Sequence, residues 1–458
     1  MDFKGKNVLV YGTGLSGIAA SRLLGKLGAC VFIYDEAPDN EDEMLENFGE
    51  DARLLEELGE DVNLHFGEFP RELIKELDLA VLSPGVPLDI PQVGELIDGK
   101  VPLIGEVELA YQVGKGKILA ITGTNGKTTT TALLGEIMKA YHKETYVVGN
   151  IGKPYTDIAL ETTDNSIIVA ETSSFQLETI EKFKPHVGSI LNITPDHLDR
   201  HKTMELYIAA KEKIGQNQEE DDYCILNYDN VNSRNFAPRS KAKAIFFSGK
   251  EKLDKGVYID SGNIMVNFGK EELLCQVDDL SVLGEHNLEN VLAAVAMATV
   301  FGVPTSLTKE VVKEFKGVAH RIEFVLEKDG VVYYNDSKGT NPDAAMKGIQ
   351  AMNRPTVLIA GGFNKDADYK EWIDAFKDKV KKLVLVGETK DSIAKAAITL
   401  GFKDIILVNT FEEAVEESIS IAGYGDAVLL SPACASWGMF KNYEERGDMF
   451  KELVRRLA

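Results

Sequence analysis

A chain of 458 residues, 44% hydrophobic and 27% charged, has an ordinary globular composition and room for about three domains of ~150 residues. Its net charge of −23 argues against a nucleic-acid or anionic-membrane partner, which needs a basic surface, but not against a nucleotide, which needs only local cations. The four cysteines contain no CxxC pair and give no disulfide or metal signal, and no stretch approaches the ~20 apolar residues of a membrane span.

The first block spans residues 1–104. Asn7–Val10 is an apolar strand, followed by Gly12-Thr13-Gly14-Leu15-Ser16-Gly17 and a helix to about Leu27. Cys30–Tyr34 is a second strand ending in Asp35. Strand, GxGxxG, helix, strand and acid form the dinucleotide-type fingerprint, which predicts a Rossmann-like domain whose glycine turn holds a dinucleotide, some other diphosphate, or nothing. A nicotinamide cofactor, with Asp35 on a ribose, is one reading of it. The acidic stretch Glu41–Glu60 is read as a solvated helical region. Asp78–Leu82 is a further strand, running into Ser83-Pro84-Gly85. The N-terminal apolar run is too short and too glycine-broken for a signal peptide, so a cytoplasmic protein is expected.

The second block, 105–316, carries the most informative stretch, KILAITGTNGKTTT at 117–130. An apolar strand, Ile118–Ile121, ends in Gly123-Thr124-Asn125-Gly126-Lys127-Thr128, and a helix follows over Thr129–Lys139. Glycines let backbone N–H groups close around phosphate oxygens, and a helix N-terminus favours negative charge. Lys127 is placed to neutralise β/γ-phosphates and the Thr128 hydroxyl to reach Mg²⁺. The spacing departs from the usual phosphate loop, with Ile121 where the first glycine would stand. Strands at Tyr146–Val148, Ile167–Ala170, Val187–Leu191 and Tyr223–Leu226 alternate with helices and predict a mostly parallel sheet. Phe246–Leu283 reads as a small β appendage before a helix over Asn287–Phe301.

The third block, 317–458, opens with a hairpin at Asp329-Gly330. Strands at Thr356–Ile359, Leu383–Val386, Ile405–Val408 and Ala427–Leu430 again alternate with helices, and the last runs into Ser431-Pro432. The chain therefore reads as an α/β protein of three domains: a Rossmann-like N-terminal domain, a central phosphate-loop domain with a mostly parallel sheet and a small β appendage, and a doubly wound, Rossmann-like C-terminal domain.

Glu171 ends an apolar strand in the sheet of the phosphate loop, where a nucleotide-bound Mg²⁺ is held; an acid balancing a helix dipole is the equal alternative. The polar run from Asn192 to His201 leaves the same edge, and His197 is its candidate Mg²⁺ ligand. Lys211, in Tyr207-Ile208-Ala209-Ala210-Lys211, reads by pattern alone as a solvated helix lysine.

TGTNGKT, ETSSFQLE, LNITPDHLDRH with a following AAK, GEHNLENVLAA, His320-Arg321, NDSKGTNP and SPACASWGMF occur in this order. The set resembles the Mur ligase family, the ATP-dependent amide ligases of peptidoglycan precursor synthesis, over nearly the full chain. It is most similar to the branch that joins D-glutamate to UDP-N-acetylmuramoyl-L-alanine. The resemblance implies ATP at Gly123, Thr124, Asn125, Gly126, Lys127, Thr128 and Thr129, with Asn287 and Asn290 on the adenine side and Arg321 and Asp336 as further ATP contacts. It implies two Mg²⁺ ions held by Thr128, Glu171, His197 and a carbamylated Lys211, which overturns the solvated reading of that lysine. Gly14, Leu15, Ser16, Asp35, Ser83, Gly149, Asn150 and Ser173 fall to the UDP-muramoyl side. Lys338, Thr340, Lys365, Ser436, Trp437 and Tyr443 fall to the D-glutamate side. A monomer is expected.

The implied chemistry is attack of a carboxylate on the γ-phosphate, then attack of an amine on the acyl phosphate, with water excluded by domain closure. A sibling ligase adding another amino acid, a nicotinamide dehydrogenase, and a nucleotide-dependent binding module are the competing readings.

Overall fold

Apolar runs fix the strands, and three sheets result. The computed structural model describes residues 2–36, 62–150, 152–282, 284–363 and 368–457. The acidic stretch Glu41–Glu60 and Lys365 therefore lie outside the described residues. The first sheet holds β1 (Asn7–Tyr11), β2 (Cys30–Asp35), β3 (Val62–Phe66), β4 (Leu79–Leu82) and β5 (Leu103–Gly105). Its order is β3-β2-β1-β4-β5 and every pair is parallel. The order reverses at β1, so the turns after β1 and β4 open a crevice there, the usual ligand position in a doubly wound sheet.

The second sheet holds β6 (Lys117–Thr122), β7 (Thr145–Gly149), β8 (Ile167–Glu171), β9 (Val187–Ile190), β10 (Tyr223–Asn227), β11 (Lys243–Ser248), β12 (Gly256–Asp260), β13 (Asn263–Asn267) and β14 (Glu271–Gln276). They run β14-β13-β12-β11-β10-β9-β6-β8-β7. Pairs from β7 to β12 are parallel, and β12–β13 is an antiparallel hairpin. The β appendage expected after Phe246 is thus the continuing edge of the central sheet. Strands β8 and β9 are buried throughout and β6 is buried after its first residue. Burial on both faces is why these segments read as unbroken apolar runs.

The third sheet holds β15 (Glu323–Lys328), β16 (Val331–Asn335), β17 (Thr356–Ala360), β18 (Val380–Leu385), β19 (Ile405–Leu407) and β20 (Ala427–Leu430), in the order β15-β16-β20-β17-β18-β19. Only β15–β16 is antiparallel. Its turn is the expected one, with φ of 53° at Asp329 and 77° at Gly330; positive φ at both central residues matches the twist of a tight hairpin.

The chain divides into two compact units, Met1–Cys275 with Glu289–Val311, and Gln276–Leu288 with Val312–Ala458. The first contains the first two sheets and the second contains the third. Among the described residues no helix is long and apolar enough to cross a membrane.

Candidate active site

In the first unit the central strands β9, β6 and β8 lie side by side and parallel, so their C-terminal ends share one edge. β6 delivers the loop from Gly123 to Thr128, β8 delivers Glu171, and β9 delivers the segment from Leu191 onward. The helix after β6 spans Lys127–Tyr141 with Gly126 as its N-cap. Gly126 has φ +85°, and a Cβ there would stand 2.0 Å from the Asn290 Oδ1. Only glycine suits both the left-handed backbone and the packed Asn290 beneath it.

The loop is laced to the β9 segment. Asn125 N donates to Asn192 Oδ1 (2.9 Å) and Asn192 Nδ2 donates back to Asn125 O (3.1 Å). Thr194 N donates to Thr124 Oγ1 (3.1 Å), which also meets the Tyr207 hydroxyl at 3.2 Å. Sequence reasoning assigned no role to Asn192 or Tyr207.

Two ammonium groups converge on one carbonyl. Lys127 Nζ donates to Gly123 O (2.9 Å) and Thr124 O (3.0 Å), and Lys211 Nζ donates to the same Gly123 O at 2.8 Å. Lys211 is 1% exposed and stacks over the Tyr207 ring at 4.7 Å. The solvated reading that its sequence pattern gave is therefore incorrect. Tyr207 and Lys211 are four residues apart and occupy one helical face, which faces inward. Burial, and then the like charge of Lys127, hold the Lys211 amine well below the usual lysine range. Both influences favour the neutral, nucleophilic form of the amine over its ammonium.

Glu171 is buried, and its Oε1 accepts from Asn150 Nδ2 at 3.0 Å. It lies in register with Ile121, one strand from the root of the phosphate loop. The helix beyond it begins at Ser174 and is capped by Ser173, whose Oγ accepts from Gln176 N (3.1 Å), so Glu171 is not a helix-end acid. His197 has φ +50°, its ring half-exposed, 4.9 Å from that of Phe175 and 3.6 Å from the Asp196 carboxylate. Among the described residues no three His, Cys, Asp or Glu side chains cluster as a metal cage. The Thr128 hydroxyl, in the first turn of the helix after β6, and the Glu171 carboxylate, at the end of the neighbouring β8, are donor types that fit Mg²⁺, which takes one or two protein oxygens and completes its shell with phosphate oxygens and water.

The first sheet forms a cleft of ≈ 400 Å³ lined by Gly12–Ser16, Asp35 and Ser83–Val86. It gathers the predicted Gly14, Leu15, Ser16, Asp35 and Ser83. Asp35 Oδ2 accepts from Thr13 N (2.8 Å) and Thr13 Oγ1 (2.7 Å), which fixes the turn. A Cβ at Gly17 would stand 1.9 Å from Gly12 O, so the turn can close only with glycine there. Gly149 and Asn150 lie instead beside Glu171.

The Mur ligase middle domain matches residues 121–298, the Mur ligase glutamate ligase domain 320–434, and the MurD-like N-terminal domain of Mur ligases 6–105. A protein of Lachnoclostridium phytofermentans described as UDP-N-acetylmuramoylalanine–D-glutamate ligase is 52% identical, over 100% of this chain and 99% of its own. One of Lachnospira eligens with the same description is 50% identical over 100% of both. The chain belongs to the Mur ligase family. Its fold is similar to that of the UDP-N-acetylmuramate–alanine ligase of Thermotoga maritima, with TM-score 0.59, 20% identity, and 98% and 99% of the two chains covered. A MurF ligase of the same organism, solved with ADP, gives TM-score 0.57 at 17% identity over 100% and 97%.

In the second unit of this Mur ligase, the neighbouring parallel strands β16, β20 and β17 end in NDSKGT, SPACASW and GGF. Lys338 Nζ lies 5.4 Å over the Tyr443 ring, and Phe363 and Trp437 meet edge to face at 5.7 Å. Ser436 is buried, Thr340 partly so, and Trp437 is half-exposed. Asn287, one turn before Asn290 on the helix Glu285–Phe301, is also buried.

A residue that sequence reasoning missed holds these loops together. Arg446 is 1% exposed. Its Nε donates to Ser337 Oγ (2.9 Å), Nη2 to Ser337 O (2.8 Å) and Nη1 to Cys434 O (3.2 Å). Arg446, Phe450 and Leu453 share the buried face of the helix Tyr443–Leu457, a helical spacing visible in the sequence.

Asp336, the residue before Ser337, is buried and accepts from Ser431 Oγ at 2.6 Å and Ile322 N at 3.3 Å; Arg321 contributes a nearby positive charge. Burial outweighs these contacts and pushes its carboxyl from 3.8 up to about 7. Because the folded value lies above the unfolded one, its contribution to stability is full below the unfolded value and is lost as pH rises through about 7. Asp336→Asn is therefore expected to gain about 2–3 kcal/mol relative to wild type between pH 5 and pH 8, whatever its offset at one pH. Urea midpoints of both proteins at the two pH values measure this, and a pH-independent gap refutes the raised carboxyl.

Proposed function

We propose that this Mur ligase joins D-glutamate to UDP-N-acetylmuramoyl-L-alanine, with ATP converted to ADP and phosphate. The convergence of Lys127 and Lys211 on the Gly123 carbonyl, one strand from Glu171, is the observation that carries it. The names of relatives about half identical to this chain support the choice of amino acid. We keep the division into 1–104 for the UDP-sugar, 105–316 for ATP and 317–458 for the amino acid. The use of ATP and a nucleotide sugar supports a cytoplasmic location. A single chain carries loops for all three substrates, which supports a monomer.

The substrate carboxylate oxygen attacks the γ-phosphorus and ADP leaves, giving an acyl phosphate. The deprotonated amine of D-glutamate attacks its carbonyl carbon, and the tetrahedral intermediate collapses to amide and inorganic phosphate. Lys127, over the phosphate loop, offsets charge on the transferring group. Lys211 as a neutral amine adds to CO₂, loses a proton and becomes a carbamate, an anion in place of the second ammonium at Gly123. Mg²⁺ held by Thr128, Glu171, His197 and that carbamate would neutralise phosphate charge. Asn287, Asn290, Arg321 and Asp336 are assigned to ATP. Gly149, Asn150 and Ser173 are assigned with the Gly12–Val86 cleft to the UDP-sugar.

Phosphate release with UDP-N-acetylmuramoyl-L-alanine and a panel of D-glutamate, D-glutamine, L-alanine and L-lysine tests the reading. D-Glutamate alone should support rapid release. Preference for a neutral or basic amino acid would reassign the chain to a sibling ligase. Lys338, Thr340, Lys365, Ser436, Trp437 and Tyr443 are the proposed amino-acid contacts. Lys338→Ala and Ser436→Ala are each expected to raise the KM for D-glutamate ~10-fold or more, with the KM for ATP little changed, because a donor to a carboxylate is lost. Equal rises in both constants would remove those residues from the amino-acid site.

A further inference from the structure

Arg200 ties together two parts of the first unit. Its Nη1 donates to the carbonyl of Gly85 (3.3 Å) and its Nη2 to that of Val86 (3.0 Å). Both residues line the cleft after β4. Nη2 also reaches Glu178 Oε2 at 2.7 Å, in an ion pair whose side chains are 12% and 17% exposed. The guanidinium covers the Phe175 ring at 4.6 Å, and the same ring meets His197 at 4.9 Å and His201 at 5.5 Å. Glu178 Oε1 lies 3.3 Å from His201 Nδ1, and His201 Nε2 lies 2.9 Å from Ser174 Oγ. One planar, always-charged group thus grips two carbonyls of the cleft turn, a shielded carboxylate and the ring that backs His197. A lysine could not make these contacts at once.

The proposed substrate is long. Its uridylyl end belongs in the cleft and its reactive carboxylate at the phosphate-loop edge, so the separation of the two decides whether the reacting atoms meet. A misplacement of about 1 Å can cost ~10²-fold in rate. We propose that Arg200 is a positioning residue that sets this separation, through the Gly85–Val86 turn on one side and Phe175 and His197 on the other. The inference rests on the ligase reading above, with the cleft as its nucleotide-sugar end.

Two substrates separate this role from simple packing: UDP-N-acetylmuramoyl-L-alanine, and N-acetylmuramoyl-L-alanine 1-phosphate, which lacks the uridylyl group and has nothing to anchor in the cleft. Wild type should prefer the full substrate. Arg200→Met should lose ~10²-fold in kcat/KM on the full substrate but no more than ~3-fold on the truncated one, so that the preference collapses. Arg200→Lys, which keeps the charge beside Glu178 but not the fork, should fall between; it is read in the same way if Arg200→Met does not fold. Equal losses on both substrates, or no loss on either, overturn the proposal. A wild-type enzyme that ligates without distinguishing the two substrates instead removes the cleft from substrate binding, and one that ligates neither removes the ligase reading; the proposal falls with either.

Discussion

Lys211→Ala is expected to reduce ligation to below ~1% of wild type, and short carboxylates such as acetate or formate should restore part of it. The reason lies in the burial of Lys211 and its shared acceptor. Two cations at one carbonyl repel, and desolvation disfavours the charge on the more deeply buried one. Carbamylation would relieve both penalties: the amine would stop being a potential cation, and the new anion would face Lys127 at short range. Truncation to alanine removes the anion and opens space that a free carboxylate can enter. Carbon-13 NMR with labelled CO₂ should show a carbamate signal in wild type that is absent from Lys211→Ala. Full activity of Lys211→Ala in CO₂-depleted buffer would eliminate the carbamate from the mechanism.

Lys127→Ala should lower turnover by ~10²-fold or more, because it removes charge stabilisation at the transferring phosphoryl group. The folded protein should survive the change: Gly123 O keeps its bond from Lys211, and the Asn125–Asn192 pair still holds the loop. Loss of the neighbouring cation also removes one of the influences depressing the Lys211 amine, so its resistance to carbamylation should rise. Single-turnover assays with matched circular dichroism separate lost chemistry from lost structure. Near-normal turnover in a folded Lys127→Ala protein would end the phosphate-loop assignment.

Much of this architecture was legible because parallel strands covered on both faces must be apolar throughout. Lys117–Thr122, Ile167–Glu171 and Ala427–Leu430 are such segments, and the polar residues that follow them can only be loops at one sheet edge. That is why Gly123–Thr128 and Glu171 stood out as candidate sites, whereas the residues of SPACASW came from the family resemblance. Lys211 was misread by pattern because a lysine on a short helix carries no mark of which face it occupies; only Tyr207, four residues earlier, hinted at it. Arg446 was missed for the opposite reason, since a charged residue on an apolar stripe reads as an exception until its backbone acceptors are known.

The sequence by itself determined most of the strands (β3 and β5 of the first sheet excepted), the glycine turns, the alternation with helices and the family, all of which depend on local periodicity and on residues close in the chain. Tertiary structure alone decided that β12 to β14 extend the central sheet, that Lys127 and Lys211 meet at Gly123, that Arg446 joins Ser337 to Cys434, and that Arg200 spans from Gly85 to Phe175. These contacts link residues far apart in sequence, often through backbone carbonyls that every residue type carries. Their partners are therefore set by sheet order and packing, and no residue identity encodes them.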